Sequence, residues 1–428
     1  MRSKQYVVLL VFAGIVGIVV SLAAWCFLEL VHQIQQEVFT HLPHAVGYSG
    51  AAPDWWGIPV LAIAGILCAL AITRLPGNGG HIPANGLASG GAPKPVELPG
   101  ILLAAIASIG LGVVIGPEAP LIALGSGLGA IAIRFARRDA PNQVVLVVAA
   151  AGSFAAVSFI FSSPLIAAVL MIEVLGIGGP QLSLILLPGL LAAGIGSLVS
   201  LGMGSFTGLS TSAYALGALP LPQFGHPHVG NFAWTIVLAI ATAAVTQVII
   251  RGGLKTYRIA ASRTMQVLPI VGLIIGVLAL VFAAATDKSI NEVLFSGQDQ
   301  LPGLVAAASS YSIGALVLLL ATKGIAYALS LGSFRGGPTF PAMFLGAAAG
   351  ILMSHLPGFP ITAAVAVGMG AGVVSVLRLP LSAIVIGIVL TSKSGTGVEP
   401  LVIVGVVVAY VVTLLLSAPR GGTPAASR

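Results

Sequence analysis

One unusual segment occurs twice in this sequence, and both copies have the composition of a ligand site. Gly-Pro-Glu-Ala-Pro at 116–120 returns as Gly-Pro-Thr-Phe-Pro at 337–341, an offset of 221 residues (337 − 116 = 221). Proline is tolerated in the first turn of a helix, where its missing N–H is not needed, so each copy predicts a helix start. The first N–H groups of a helix have no partner inside it, and two such starts that meet would bind an anion. The alternative is that both segments are proline kinks that only pack helices.

The first copy carries a carboxylate that could compete with an anion. Glu118 is the only acid between Glu97 and Asp139, and apolar residues flank it. Burying a carboxylate is costly, so Glu118 is expected to face the protein interior or a pathway. When ionised it would occupy an anion site, and when protonated it would leave, which couples anion passage to pH. The alternative is a carboxylate that stabilises the start of a helix.

A glycine-rich loop at 77–83 could form a third side of the same site. Its sequence is Gly-Asn-Gly-Gly-His-Ile-Pro. Its backbone N–H groups could donate to an anion, and His81 could either donate or titrate near neutral pH. A structural role for this histidine is the alternative.

Three further charged residues lie in or beside apolar segments. Glu173 ends an apolar run and could relay protons, or it could serve only as a structural hydrogen-bonding group. Arg335 precedes the second copy and Arg378 lies in an apolar stretch; both could raise the local potential that draws anions inward. For the two arginines, helix pairing or snorkelling to an interface is the alternative.

The composition places these segments in a lipid bilayer. Of the 428 residues, 57% are hydrophobic and 7% are charged, and the mean hydropathy is +1.09. Many apolar runs approach the ~20 residues that a spanning helix needs, while shorter runs split by Gly and Pro predict broken or re-entrant helices. The sequence has no motif typical of an intramembrane enzyme, and Cys26 and Cys68 have neither metal-ligand nor disulfide spacing. An enzyme, a metal site and a cofactor are therefore not expected.

The basic residues predict how the chain crosses the membrane. The formal net charge of +7 falls in short clusters between apolar segments, without the aromatic platform of a nucleic-acid binder. Acid-rich loops at 29–54 and 287–299 would face outward, which places both termini in the cytoplasm. The clusters expected in the cytoplasm are Arg2/Lys4, Arg134/Arg137/Arg138, Arg251/Lys255/Arg258/Arg263 and Arg420/Arg428.

The repeat divides the chain into two halves of one membrane domain. Residues 164–169 are echoed at 380–385, an offset of 216 (380 − 164 = 216), so a loop is about five residues shorter in the second half. The halves are predicted at 1–222 and 223–417, followed by a short disordered tail at 418–428. The first copy is followed by arginines and the second by uncharged His355-Leu356-Pro357, which favours opposite orientations.

Four stretches resemble the CLC family of chloride channels and anion/proton exchangers, in the family's order. Residues 79–83 resemble its GSGIP segment, 116–120 its G(K/R)EGP segment, 152–173 its third characteristic region, and 336–341 its GGxFxP segment. The resemblance implies an inverted-repeat fold, a homodimer with one pathway per subunit, and Glu118 as the external gating glutamate.

The sequence also departs from the family pattern at positions that matter. Gly80 replaces the serine that touches the central anion, and Pro117 replaces a basic residue. The family's central tyrosine has no counterpart, so backbone donors and Thr339 are expected to take over coordination. Val174 stands where exchangers often have an internal proton-transfer glutamate, which favours uncoupled or weakly coupled transport.

We therefore predict an all-α membrane protein, with two inverted-topology repeats and broken, re-entrant helices, that passes small inorganic anions. Chloride is the first candidate substrate, and Glu118 is the predicted gate. The protein is predicted to be a multi-pass homodimer in the inner (plasma) membrane. Several alternatives stay open: a passive channel, which the resemblance extends to a voltage-gated one, a proton-coupled exchanger, fluoride or nitrate selectivity, and a non-anion secondary transporter. The residues predicted to bind the anion are Gly80, His81, Ile82, Gly116, Pro117, Ala119, Gly337, Pro338, Thr339 and Phe340.

Overall fold

The structure, a computed structural model, describes residues 4–49, 52–87, 91–176, 178–208 and 215–417. The predicted disordered tail at 418–428 lies outside these residues, as do Arg2, Arg420 and Arg428 of the predicted charge clusters.

The described residues form sixteen α-helices, eight before the predicted join near residue 222 and eight after it. The helices of the first half are α1 (Lys4–Gln36), α2 (Leu42–Ala45), α3 (Gly57–Arg74), α4 (Leu98–Ile109), α5 (Glu118–Ala136), α6 (Asn142–Phe161), α7 (Pro164–Leu175) and α8 (Pro180–Thr207). Those of the second half are α9 (Val229–Ser262), α10 (Thr264–Thr286), α11 (Gln300–Ala306), α12 (Ile313–Ser333), α13 (Thr339–Met353), α14 (Ile361–Leu377), α15 (Pro380–Leu390) and α16 (Glu399–Leu416).

The helices differ in length as the broken apolar runs predict. Within the described residues, nine helical segments are long and apolar enough to cross a membrane, and five apolar helices of 10–17 residues are shorter. A twelve-residue helix such as α4 is ~18 Å long, well below the ~30 Å of a hydrocarbon core. The chain therefore stops inside the membrane layer at several places, where neighbouring helices must cover its loose backbone.

The two helices that follow the Gly-Pro segments pack on their next neighbours in the same way. A Cβ added to Gly125 of α5 would overlap the carbonyl of Gly152 of α6, and the reverse is also true. Gly346 of α13 and Gly368 of α14 have the same reciprocal relation. The offsets are those of the repeat (346 − 125 = 221 and 368 − 152 = 216). The matched glycines therefore let two equivalent helix pairs cross with their backbones in contact.

The predicted outer loop at 29–54 is wrong in its first part. Helix α1 continues to Gln36, and helical turns at Glu37–His41 and α2 follow it. Val31 of α1 is buried, as is Phe39 in the helical turn after it, so the apolar face of the helix continues past the acidic Glu29. A polar residue on the outer face of a helix does not end it, which is why the charge pattern placed this boundary too early.

Candidate functional site

The two Gly-Pro segments meet directly. Gly116 and Gly337 form an isolated antiparallel bridge in which Gly116 N–H donates to Gly337 O at 2.7 Å and Gly337 N–H donates to Gly116 O at 2.5 Å. Equivalent segments that pair antiparallel are related by a two-fold axis between them, as expected for inverted repeats. Helix α5 begins one residue after Pro117 and α13 one residue after Pro338. The predicted juxtaposition of two helix starts is thus present in the structure.

Glu118 lies across this junction, from the start of one helix to the start of the other. Its side chain is fully buried, and its Oε1 accepts a hydrogen bond from the backbone N–H of Thr339. A Cβ on Gly337 would overlap the Glu118 carboxyl group, and one on Gly116 would overlap its Oε2. We call this arrangement the docked position of Glu118. It places a carboxylate against the N–H groups that open α13.

The backbone donors at the junction divide into two groups. The N–H groups of Gly116 and Gly337 are used in the bridge, and Pro117 and Pro338 have none. These four predicted anion-binding residues therefore shape the junction and donate no N–H to an anion in this conformation. The first turns of α5 and α13 supply the remaining donors, those of Glu118, Ala119, Thr339 and Phe340.

Aromatic residues and one hydroxyl close the junction. The rings of Phe161 and Phe340 stack with centroids 5.2 Å apart. Tyr327 of α12 donates its hydroxyl to Pro338 O at 2.5 Å, which fixes the residue before α13. Among the described residues, Thr339 Oγ1 and Glu118 Oε2 are buried without a hydrogen-bond partner. The site thus keeps two free polar atoms in an apolar setting.

The glycine-rich loop lies beside this junction. Residues 77–80 all have positive φ, from 50° to 90°, a conformation that glycine tolerates best. The Gly80 N–H donates to Gly77 O at 2.8 Å, so it is not free for an anion, whereas the N–H groups of His81 and Ile82 donate to no described residue. Together with Arg335, Ala119 and Gly336, this loop lines a cavity of about 380 Å³.

The His81 side chain is held within its own loop. Its Nε2 lies 2.9 Å from Gly86 O, and because a carbonyl only accepts, Nε2 must carry a proton. Burial lowers the pKa of His81, the bond to Gly86 partly opposes this, and the nearby Arg335 charge lowers the pKa further. The imidazole is therefore neutral at neutral pH and contributes no charge to the cavity.

Glu173 lies at a different helix start. Its carboxylate accepts the N–H groups of Leu381 at 3.0 Å and Ser382 at 2.6 Å, and the Ser382 hydroxyl at 2.5 Å. It therefore caps α15, and its described hydrogen bonds include none to residues 116–120 or 337–341. Arg378 ends α14 in the left-handed region, and its Nη2 donates to Ser417 Oγ at 2.6 Å.

A buried lysine was missed by the sequence interpretation. Lys323 of α12 is fully buried, and its Nζ lies 2.9–3.3 Å from four successive carbonyls, those of residues 292–295, which share its three N–H donors. The last of these residues, Phe295, donates its N–H to Gly112 O, four residues before the bridge. The signal was available, because a lone charge in a predicted membrane helix is expensive unless it has a role.

Comparisons with known proteins agree with this geometry. The model of the family described as voltage gated chloride channel matches residues 64–414. A relative from Escherichia coli O1:K1 / APEC, named putative ion-transport protein YfeO, is 30% identical over 366 residues, which cover 84% of this chain and 82% of that protein. The fold resembles the crystal structure of a slow cyanobacterial Cl⁻/H⁺ antiporter, with a TM-score of 0.77, 20% identity, and coverage of 97% of this chain and 95% of that one. It also resembles a CLC-type fluoride/proton antiporter, with a TM-score of 0.69, 19% identity, and coverage of 96% and 97%.

The described residues form a helical domain in which two Gly-Pro helix starts pair antiparallel, the architecture of a multi-pass membrane protein built from inverted repeats. This chain belongs to the voltage gated chloride channel family, the CLC family, whose members transport anions and are not enzymes. The predicted fold class and family are confirmed.

Proposed function

We propose that this protein transports small inorganic anions past the junction of α5 and α13, with Glu118 as the gate. Chloride is the first candidate among these anions. One observation carries the proposal: the docked Glu118 carboxylate takes the Thr339 N–H at the start of α13. An inorganic anion would bind the same backbone N–H groups at the start of α13, so the carboxylate and the anion exclude each other. Protonation weakens the hold of Glu118 on this N–H, which lets the side chain leave and an anion take its place.

The donors proposed for the anion are the first-turn N–H groups and the Thr339 hydroxyl. Thr339 Oγ1 has no partner among the described residues and can rotate toward an anion. It would compensate for the serine hydroxyl that Gly80 lacks. The rings of Phe161 and Phe340 exclude bulk water, which strengthens these hydrogen bonds.

Within this function we favour uncoupled or weakly coupled transport over tight proton exchange. Glu173 is engaged in capping α15, and Val174 beside it cannot carry a proton. A proton-coupled exchanger is the second candidate, since Glu118 itself suits either mechanism. The resemblance to a Cl⁻/H⁺ antiporter and to a fluoride/proton antiporter supports this second candidate. The resemblance to the fluoride/proton antiporter also makes fluoride an alternative anion.

We also propose a homodimer in the inner (plasma) membrane with both termini in the cytoplasm. The exposed faces of α7, α8 and α15 carry leucines that suit either lipid or a second copy. Chemical cross-linking in liposomes at low protein density tests the dimer, and a product no larger than one chain would contradict it. The exposed leucines concerned are Leu165, Leu187, Leu190, Leu191, Leu198, Leu201 and Leu381.

Reconstitution into liposomes tests the transport proposal. A chloride gradient is imposed, and chloride efflux and internal pH are recorded together. We expect efflux with little or no uphill proton movement. Strong proton uptake driven by chloride would replace the channel interpretation with exchange, and the absence of flux for chloride, nitrate and fluoride alike would contradict the proposed function.

A further inference from the structure

An apolar groove between α3 and α4 opens on the surface of the helical domain, and we call it the α3–α4 groove. Its volume is about 480 Å³, which lies within the ~300–1,000 Å³ of typical ligand pockets. Leu67, Leu70 and Leu103 on its walls are 45%, 37% and 50% exposed, so a hydrocarbon chain from the membrane can reach them. Among the described residues that line the groove, every one except Arg74 is apolar.

The spacing of the lining residues explains why the groove runs along both helices. Leu67, Leu70 and Arg74 are three and four residues apart, so they share one face of α3. Leu103 and Ala107 share one face of α4 in the same way. Leu67 and Arg74 are seven residues apart (74 − 67 = 7), which corresponds to ~10 Å of helix. The groove is therefore long enough to take a good part of an extended acyl chain.

Helix α1 closes the end of the groove that is opposite to Arg74. Ser108 Oγ lies 3.4 Å from Cys68 Sγ, so the last turn of α4 lies beside the middle of α3 and away from the Arg74 end. At this closed end, Gln35 Nε2 of α1 donates to the carbonyl of Ile109 at 3.0 Å. The groove thus has apolar packing at one end and a cation at the other, a shape that suits one amphiphilic molecule.

Arg74 gives the groove a positive end. It is the last residue of α3, it is exposed, and its side chain forms no hydrogen bond or ion pair with a described residue. Thr73 Oγ1 beside it lies 3.7 Å from Met265 Sδ, two residues after the exposed Arg263. The end of α3 therefore lies close to a turn that carries a second arginine. No described acid lines the groove, so its charge favours an anionic headgroup.

These features favour a lipid over a second copy of the chain as the occupant. The exposed leucines proposed for the dimer lie on α7, α8 and α15, and the described lining of the groove includes no residue of these helices. We propose that the α3–α4 groove binds one anionic phospholipid, with its phosphate on Arg74 and an acyl chain along the apolar walls. A guanidinium fork can donate two hydrogen bonds to a phosphate. The site goes beyond the proposed function, because none of its described lining residues belongs to the junction at Glu118.

Lipid binding to the purified full chain tests this site without requiring transport. The protein in detergent is mixed with equal amounts of phosphatidylglycerol and phosphatidylcholine of identical acyl chains, and the bound lipids are counted by native mass spectrometry. We expect the wild type to retain phosphatidylglycerol in preference to phosphatidylcholine. Arg74→Gln should lower the ratio of the two lipids about fivefold, the loss expected for one basic residue at an anionic headgroup. Arg138→Gln, an exposed arginine outside the groove, is the matched control and should keep the wild-type ratio.

A second variant tests the apolar part of the site and keeps the test decisive if Arg74→Gln does not fold. Leu103→Trp fills the groove without changing its charge, so it should reduce the retention of both lipids. Leu198→Trp on α8, where the leucine is 68% exposed, is the control for an indole added elsewhere on the surface and should leave retention unchanged.

A soluble competitor separates a lipid site from a site for free phosphate. Glycerol 3-phosphate carries the phosphate without acyl chains, and an excess of it should leave phosphatidylglycerol bound. Displacement by this compound would replace the lipid site with a phosphate site and overturn the proposal. A wild-type lipid ratio in folded Arg74→Gln, unchanged retention in folded Leu103→Trp, or no preference in the wild type would also overturn it. These measurements do not depend on flux, so absent transport with Arg74-dependent lipid binding would contradict only the proposed function.

Discussion

At the residue scale, the gate depends on two glycines that leave room for one carboxylate. Gly116 and Gly337 both face the Glu118 side chain, and neither can gain a Cβ without overlapping it. The same two residues bind each other through their backbones. Their small size therefore serves the docking of Glu118, while their N–H groups hold the two halves of the site together.

Substitution of Gly337 by alanine tests the docked position. The added methyl group would displace the Glu118 carboxylate from Thr339 N–H. We expect Gly337→Ala to raise chloride flux at neutral and alkaline pH several-fold, since the competing carboxylate is held less firmly. Chloride efflux from liposomes measures this. Gly194→Ala, where an added Cβ meets nothing within 4 Å, is the control. Unchanged flux in a folded Gly337→Ala protein would argue against the docked position as the closed state.

The lowered pKa of His81 predicts an acid-sensitive loop. Its folded-state pKa lies below the unfolded value of ~6.5, so the unfolded chain binds a proton first as the pH falls. The contribution of neutral His81 to stability is therefore complete above pH ~6.5 and is lost below it. Thermal unfolding at pH 7.5 and 5.5 should show a smaller acid-induced drop in Tm for His81→Gln than for the wild type. The exposed His226→Gln should behave as the wild type, and an equal drop in all three proteins would refute the prediction.

The sequence predicts many residues of the site, but it does not predict their hydrogen-bond partners. The sequence predicts that Glu118 is buried and that helices begin after Pro117 and Pro338, because these follow from local chemistry. It does not predict that Gly80 N–H turns back to Gly77 or that the His81 ring turns to Gly86. Such partners depend on the backbone angles of a whole loop.

At the element scale, α12 connects the loop at residues 287–299 to the start of α13. The Lys323 ammonium group hydrogen-bonds the carbonyls of residues 292–295. Tyr327, one helical turn later, donates its hydroxyl to Pro338 O. One helix face therefore fixes both a loop and a site residue. The repeat does not predict this connection, because a repeat shows only the residues that recur in both halves. The ends of α5, α13, α7 and α15, by contrast, follow from their prolines.

Replacement of Lys323 by methionine tests this connection. Methionine is similar in length and apolar, so it leaves the carbonyls of residues 292–295 buried without their donor. We expect a loss of about 2 kcal/mol or more in the free energy of unfolding, since each orphaned buried group costs ~1–3 kcal/mol. Unfolding in mixed micelles measures the difference. Lys288→Met, which removes a cation 3.8 Å from the Tyr311 ring and its electrostatic interaction with Glu292, should cost less than ~1 kcal/mol. Equal stability of the two variants would contradict the role assigned to Lys323.

For the whole molecule, the repeat is the strongest prediction from sequence. The short sequence matches give offsets of 221 and 216 residues, and the same offsets recur in the glycine contacts of α5 with α6 and of α13 with α14. The positions of the arginines predict opposite orientations of the two halves, and the antiparallel bridge agrees with this prediction. The lengths of outer loops were predicted less well, because charge marks the side of a membrane but not the end of a helix.

The proposed topology makes a prediction about access from the two sides. In a Cys26→Ser background, cysteine at Asp287 should react with an impermeant maleimide in intact cells, because the loop after α10 faces outward. Cysteine at Arg138, after α5, should react only after permeabilisation. Both native positions are exposed, so accessibility within the fold is not limiting. The reverse labelling pattern would contradict the proposed topology and place both termini outside.

The gate itself is tested most directly by the pH dependence of chloride efflux in Glu118→Gln. Glutamine is similar in shape but carries no charge to compete with an anion at Thr339 N–H. We predict that wild-type efflux rises as the pH falls, because protonation releases the carboxylate, and that the Glu118→Gln protein has high efflux that is nearly independent of pH. Glu37→Gln, an exposed acid paired with His41, should retain the wild-type profile. A Glu118→Gln protein with the wild-type rate and the wild-type pH profile would contradict Glu118 as the gate.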